Sequence, residues 1–153
     1  MKQLKLTSLF LLALTGTAIA DPADTPADID RDGDALRDEL SLRPDDRDIT
    51  DTAVVATNTS SQPAVMICAA FDSNGHKLGA ASMRVPAKGL RYVRASDLSN
   101  GIDYVGQVKC RTGNHGIHGS VFLMGPGGTT DMPVLQRGVN GSKHIVAPVT
   151  ASF

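Results

Sequence analysis

An antiparallel two-sheet β-sandwich, preceded by an acidic and mostly irregular segment, is the all-β fold this chain predicts. Three observations lead there. From Thr52 onward, short extended runs recur at roughly ten-residue spacing, each closed by a cluster of Gly, Pro, Asn or Ser. The stretch Ala64–Val85 reads as a central hairpin: a continuous apolar run to Phe71, then Asp72-Ser-Asn-Gly75, then a second extended run from Lys77. Charge is divided sharply between an acidic beginning and a mildly basic remainder, so the two parts have different physical roles.

The elements follow in order. Residues 1–20 read as an export signal: Lys2 and Lys5, an apolar run from Leu9 to Leu14 too short to span a bilayer, and Thr17-Ala-Ile-Ala20 before Asp21. No Cys stands at the cleavage position, which argues against a lipid anchor. No later segment is long and apolar enough to cross a membrane. About 130 residues then remain, enough for one core. We expect an acidic linker over 21–51 and a sandwich domain over 52–153.

Residues 21–51 hold twelve acidic groups against four arginines, a net of about −8, while the rest carries nine basic against four acidic, about +5. The acidic part could fold back on Arg84, Lys88, Arg91 and Arg94. Exposed ion pairs stabilise by at most about 1 kcal/mol, so a solvated basic strand face is the expectation.

Within the linker, Asp21–Ala27 has two prolines and nothing apolar to bury, and predicts a flexible tether. Asp28 to Glu39 fits the D-x-D-x-D-G-x₅-E calcium-loop pattern: Asp28, Asp30 and Asp32 as carboxylates, Gly33 at the sharp turn, Asp34 through its carbonyl, Glu39 as a bidentate ligand. In a second register, Asp30-Arg-Asp-Gly-Asp-Ala-Leu-Arg-Asp38 followed by Pro44-Asp45 resembles the calcium-binding aspartate repeats of thrombospondin type 3, with Ala35 where Gly is usual. Calcium, held in the millimolar range of extracellular modules, is the implied ion. The alternative is a disordered acidic linker with accidental spacing. A short helix is expected from Ala35 to Arg43, stopped by Pro44.

In the body, strands are expected over Val54–Asn58, Ala64–Phe71, Lys77–Val85, Leu90–Arg94, Tyr104–Arg111, Ile117–Met124, Thr130–Val139 and Lys143–Phe153. The Ala64–Phe71 run suits a strand covered on both faces, and Asn74-Gly75 suits the positive-φ positions of a tight turn. Ala95–Gly101 reads as a loop or one helical turn. Pro148 suggests that the last strand lies at a sheet edge. Cys68 and Cys110, the only cysteines, predict a disulfide in an oxidising compartment, which would stabilise by roughly 3–4 kcal/mol through loop closure. Two free buried thiols in strands of different sheets are the alternative.

An antibody-type domain would place a Trp between the cysteines, and this chain has no Trp. A looser pattern is present: Asn58-Thr-Ser, Phe71-Asp-Ser-Asn-Gly75, Val85-Pro-Ala-Lys-Gly89, Ser96-Asp-Leu98, Gly106-Gln-Val-Lys-Cys110 and Thr129-Thr-Asp-Met-Pro-Val134. In order and spacing it is similar to secreted bacterial Ig-like β-sandwich modules. That resemblance implies a non-catalytic surface or periplasmic module.

Aromatics are only 4% of the chain, so stacking on sugars or single-stranded nucleic acid is disfavoured. There is no G-x-S-x-G elbow, P-loop or dinucleotide fingerprint, and a secreted hydrolase is the weakest of the readings. His115 and His118 form H-x-x-H near a glycine-rich turn, with His76, His144 and Met124 elsewhere. Copper or zinc binding is therefore the main alternative function, although three-residue spacing on a strand puts two rings on opposite faces. The leading expectation is an exported, non-enzymatic binding or structural module with a calcium-binding acidic segment and a protein or cell-envelope partner, without nucleic acid.

Overall fold

The computed structural model describes residues 27–42 and 48–152. The export signal, the tether before Ala27 and the Pro44 helix stop lie outside them. In chain order the elements are β1 (Ala27–Asp28), α1 (Gly33–Ser41), β2 (Asp51–Asn58), β3 (Ala64–Asp72), β4 (Lys77–Val85), β5 (Leu90–Arg94), α2 (Ala95–Ser99), β6 (Tyr104–Thr112), β7 (Ile117–Gly125), β8 (Gly128–Asp131), β9 (Leu135–Val139) and β10 (Ser142–Ala151).

The strands form two sheets, β1-β4-β3-β6-β10-β9 and β5-β2-β7-β8. Every pairing is antiparallel except that of β1 with β4. The expected two-sheet β-sandwich is thus the observed fold. Alternation puts Met66, Cys68, Met83, Val108 and Ile145 of the larger sheet against Val54, Ala56, Val93, Ile117 and Val121 of the smaller one. With aromatics so scarce, aliphatic and methionine side chains fill this space.

A second, smaller apolar cluster lies outside the sandwich. Leu36 of α1, with Ala35 and Leu40, packs on Ala53, Val55, Tyr92, Phe122 and Met124, the outward side of the smaller sheet. β2 is consequently buried at every position but Thr57. This corrects the sequence reading, which gave double cover to the strand of the central hairpin. β3 alternates between buried and open, and Val65 is 54% exposed. Successive Cβ atoms point to opposite faces, so a continuous apolar run does not reveal whether anything lies on the second face.

Cys68 and Cys110 are bonded, as expected, and face each other across the β3–β6 register with both residues buried. The bridge therefore ties neighbours within one sheet, whereas an antibody-type domain ties its two sheets together.

Several boundaries differ from expectation. α1 begins at Gly33 because the Asp32 carboxylate accepts the backbone N–H groups of Asp34 and Ala35 (3.1 and 3.0 Å), and it ends at Ser41. The single strand expected over Thr130–Val139 is two strands in different sheets. The chain crosses between them at Met132–Val134, where Met132 and Val134 pack on the core, and Pro133 supplies no N–H for a continuous ladder. β10 is not an edge strand: it lies between β6 and β9, with Pro148 beyond the last β9 pair at Val146, where that side of β10 is open. In the hairpin turn, Gly75 alone has positive φ. Residues 95–99 form α2, and Gly79 lets it sit on β4, since a Cβ there would fall 2.3 Å from the Leu98 carbonyl oxygen.

The two sheets are bridged on both sides of the sandwich. On one, β1 pairs with the β4 edge, the Ile29 N–H donates to the Ser82 carbonyl (2.8 Å), and the Arg31 carbonyl accepts the Tyr92 N–H of β5 (3.1 Å). The acidic segment thus straps the two sheet edges together. On the other, the Gln136 side-chain amide bonds both backbone groups of Gly119 (3.2 and 2.9 Å), and Lys143 Nζ donates to the Ile117 carbonyl.

Candidate functional site

The acidic segment does fold back, onto Arg91 and Arg94. Arg91 Nε donates to Asp30 at 2.7 Å, Arg94 lies 3.6 Å from Glu39, and the Tyr92 hydroxyl donates to Glu39 at 2.8 Å. Arg31 joins from the segment itself, 2.7 Å from Asp97 and 3.4 Å from Glu39. Arg84 is exposed and Lys88 Nζ donates to the Thr59 carbonyl, so neither takes part. The expectation of a solvated face failed because the pairs are not alone. Burial of Leu36 contributes roughly 1.5–3 kcal/mol to docking, and charges held close by packing give up little further side-chain entropy.

Asp51 sits beneath this cluster, 3% exposed, accepting from the Thr52 N–H (2.7 Å), the Ser96 N–H (3.1 Å) and the Ser96 hydroxyl (2.5 Å). Arg94, at the N-cap of α2, has no side-chain acceptor, and Asp51 supplies one from β2. Burial raises the Asp51 pKa, and the bonds from Ser96 and Thr52 oppose that. Tyr92 is pushed up to about 12, first by burial and then by Glu39 as its acceptor. A cavity of about 270 Å³ opens beside the cluster, lined by Glu39, Leu42, Asp51, Arg94 and Met124 among others.

The six carboxylates of the calcium pattern are turned to separate tasks. Asp28 lies in β1 opposite Ser82. Asp30 pairs with Arg91, Asp32 caps α1, Asp34 and Asp38 both approach Arg37 (3.5 and 3.7 Å), and Glu39 serves Tyr92, Arg31 and Arg94. Among the described residues no group of three His, Cys, Asp or Glu side chains comes together to hold a metal ion. Calcium needs six to eight oxygens about one centre, and in this arrangement the described carboxylates do not share one; Asp45 of the second register lies outside the described residues. The histidines are equally scattered. His115 is exposed in the β6–β7 turn, and His118 stands on β7 with Lys143 Nζ 3.5 Å from its ring. His76 pairs with Asp72 at 3.1 Å, His144 lies on β10, and Met124 is buried under α1.

Sequence reasoning missed the outer face of the larger sheet. Cross-strand pairing aligns Ile67, Arg111, His144 and Arg137 in one row across β3, β6, β10 and β9, and Ala69, Lys109, Val146 and Leu135 in the next. Arg84 stands opposite Val65 at the β4 side. Across these four strands neither row holds a carboxylate; the first continues through Ser82 of β4 to Asp28 of β1 at the far edge, and among the described residues no acidic group pairs with Arg84, Arg111 or Arg137. Val65, Leu135 and Val139 are 54%, 50% and 42% exposed on this sheet. The alternation Lys109-Cys-Arg111 was visible in the sequence, but the rows exist only once strand order is known.

Among the described residues no helix is long and apolar enough to cross a membrane. Compared with known proteins, the chain matches no family model, no curated protein and no solved structure. What stands is the class: a β-rich two-sheet sandwich with one cross-strand disulfide.

Proposed function

We propose that the chain is an exported, non-enzymatic binding module that meets its partner through the outer face of the larger sheet, with the acidic segment built in as a strap on the opposite layer. The observation that carries this is the unequal cover of the two sheets. α1 hides the apolar outer side of the smaller sheet, whereas the larger sheet leaves aliphatic side chains open together with basic ones that meet no carboxylate among the described residues, a combination typical of interaction surfaces. The signal-like first twenty residues and the disulfide support export.

Calcium enters this reading only as a competitor for the strap. An ion gathering Asp30, Asp32 and Glu39 would draw them from Arg91, from the α1 N-terminus and from Tyr92. Calorimetric titration with calcium, on the intact chain and on Asp30→Ala with Asp32→Ala, tests that part: heat that disappears in the variant supports a calcium site, and no heat removes the ion.

The function itself is tested by capture from envelope extracts, with and without chelator. A Val65→Asp, Arg111→Glu chain, shown folded by its melting curve, is expected to lose species that the unaltered chain and a control carrying Asp34→Lys both retain. Identical capture by all three would overturn the assignment to this face.

A further inference from the structure

We infer that the partner of this face is an extended acidic peptide that adds as a strand to the free edge of β9. The inference rests on the reading of the larger sheet's outer face as the binding surface, and names what binds there.

Three observations converge on β9. The first is its backbone. β9 pairs with β10 on one side only, and among the described residues no backbone bond reaches the other side of Leu135–Val139. The edges at β4 and β5 are strapped by residues 27–31; of the other edges, β1 is only two residues long and β8 four. An open edge is a template for another extended chain. The second is charge: at the edge and directly inside it stand Arg137, His144 and Arg111, one per strand and so roughly 4.8 Å apart, with Lys109 in the adjoining row and no carboxylate in either row from β9 to β3; Asp28, which ends the first row, lies on β1 at the opposite edge of the sheet. The third is the alternation on β9 itself, where Leu135 and Val139 flank Arg137 at two-residue spacing and are about half exposed. A strand alternating aliphatic and acidic side chains on one face satisfies all three at once.

Other occupants leave something unmet. A second copy pairing β9 with β9 would bring Arg137 toward its own like charge. An acidic polysaccharide would not use Leu135, Val139 or the edge amides. An anionic lipid surface calls for aromatic anchors at the interface, and Phe71, the aromatic on β3, is already covered by Lys109 Nζ, 4.8 Å from its ring centre.

The test uses the full chain and a fluorescein-labelled synthetic peptide of alternating valine and glutamate, with a valine–lysine peptide as control. Anisotropy should show binding by the glutamate peptide alone, weakened by salt. Affinity should fall about tenfold or more in Arg137→Glu, as expected when an attractive charge contact becomes a repulsive one, and also in Leu135→Asp, a second variant in case one misfolds. Hydrogen exchange should slow at residues 135–139 on binding. Equal affinity of both variants, equal binding of the lysine peptide, or no slowing at β9 would overturn the inference. So would binding of dextran sulfate or phosphatidylglycerol vesicles in place of the peptide. If envelope capture still depends on Val65 and Arg111 while the peptide fails, strand addition falls and the binding face stands.

Discussion

The two outer faces of the sandwich differ more than the two sheets do. Behind the smaller sheet, Ala53, Val55, Phe122 and Met124 are roofed by α1, and basic side chains there meet carboxylates of the same chain. Behind the larger sheet, Val65 and Leu135 face solvent, and Arg84, Arg111 and Arg137 meet none among the described residues. One face is completed internally and the other stays open among the described residues. Among the described residues of the acidic segment, Asp30, Asp34, Asp38 and Glu39 meet arginines of the segment and of β5, and none pairs with Arg84, Arg111 or Arg137.

That contrast can be broken from either side. The largest effect is expected in the larger sheet: Cys68→Ala with Cys110→Ala should lower unfolding free energy by roughly 3–4 kcal/mol, read by chemical denaturation. Next comes the roof. Leu36→Ala removes the centre of the α1 contact and should cost about 2–3 kcal/mol, with new binding of a hydrophobic dye to the uncovered smaller sheet.

Acid sharpens the comparison further. Hydrogen bonds from the Ala35 and Asp34 N–H groups hold the Asp32 pKa below its ordinary 3.8. Its support for α1 is therefore complete above 3.8 and disappears as pH falls through the lower folded value. Asp51 runs the other way: burial raises its pKa, so it takes up a proton more readily in the native state than in the unfolded chain, and acidification from that raised value toward 3.8 adds stability. Exchange protection at the Asp34 and Ala35 amides should vanish in acid before that of the sandwich strands, and Asp32→Ala should reproduce this loss at neutral pH. Loss of protection everywhere at once would contradict it. The smallest effect belongs to the bare face: Val65→Thr should change stability by no more than about 0.5 kcal/mol, because its side chain has little packing to lose. A large loss there would mean that the face is covered after all.

Much of the fold was legible because period-two alternation and turn residues act locally. The hairpin over Ala64–Val85 and most strand ends follow from neighbours in sequence, and the Cys68–Cys110 pair from there being only two cysteines. Cover is not local. β2 and β3 both read as apolar, and only the position of α1 decides which is enclosed. The break at Met132–Val134 was missed because a crossover and a continuous strand share the same apolar spacing. The aspartates illustrate the same limit at the candidate site. A calcium loop and a capped, ion-paired helix start use the same residue types at the same intervals, and the difference is set by Arg91, Tyr92 and Arg94, far along the chain.

The strap has a consequence for the order of events. Ala27 pairs with Ala81, and the Arg31 carbonyl waits for the Tyr92 N–H, so an early piece of polypeptide finds its seat only after two much later strands are in place. Until then β4 and β5 present raw, pairing-competent margins. A chain whose beginning is held elsewhere would carry those margins open, and the moment of release is the moment at which that flank stops being adhesive.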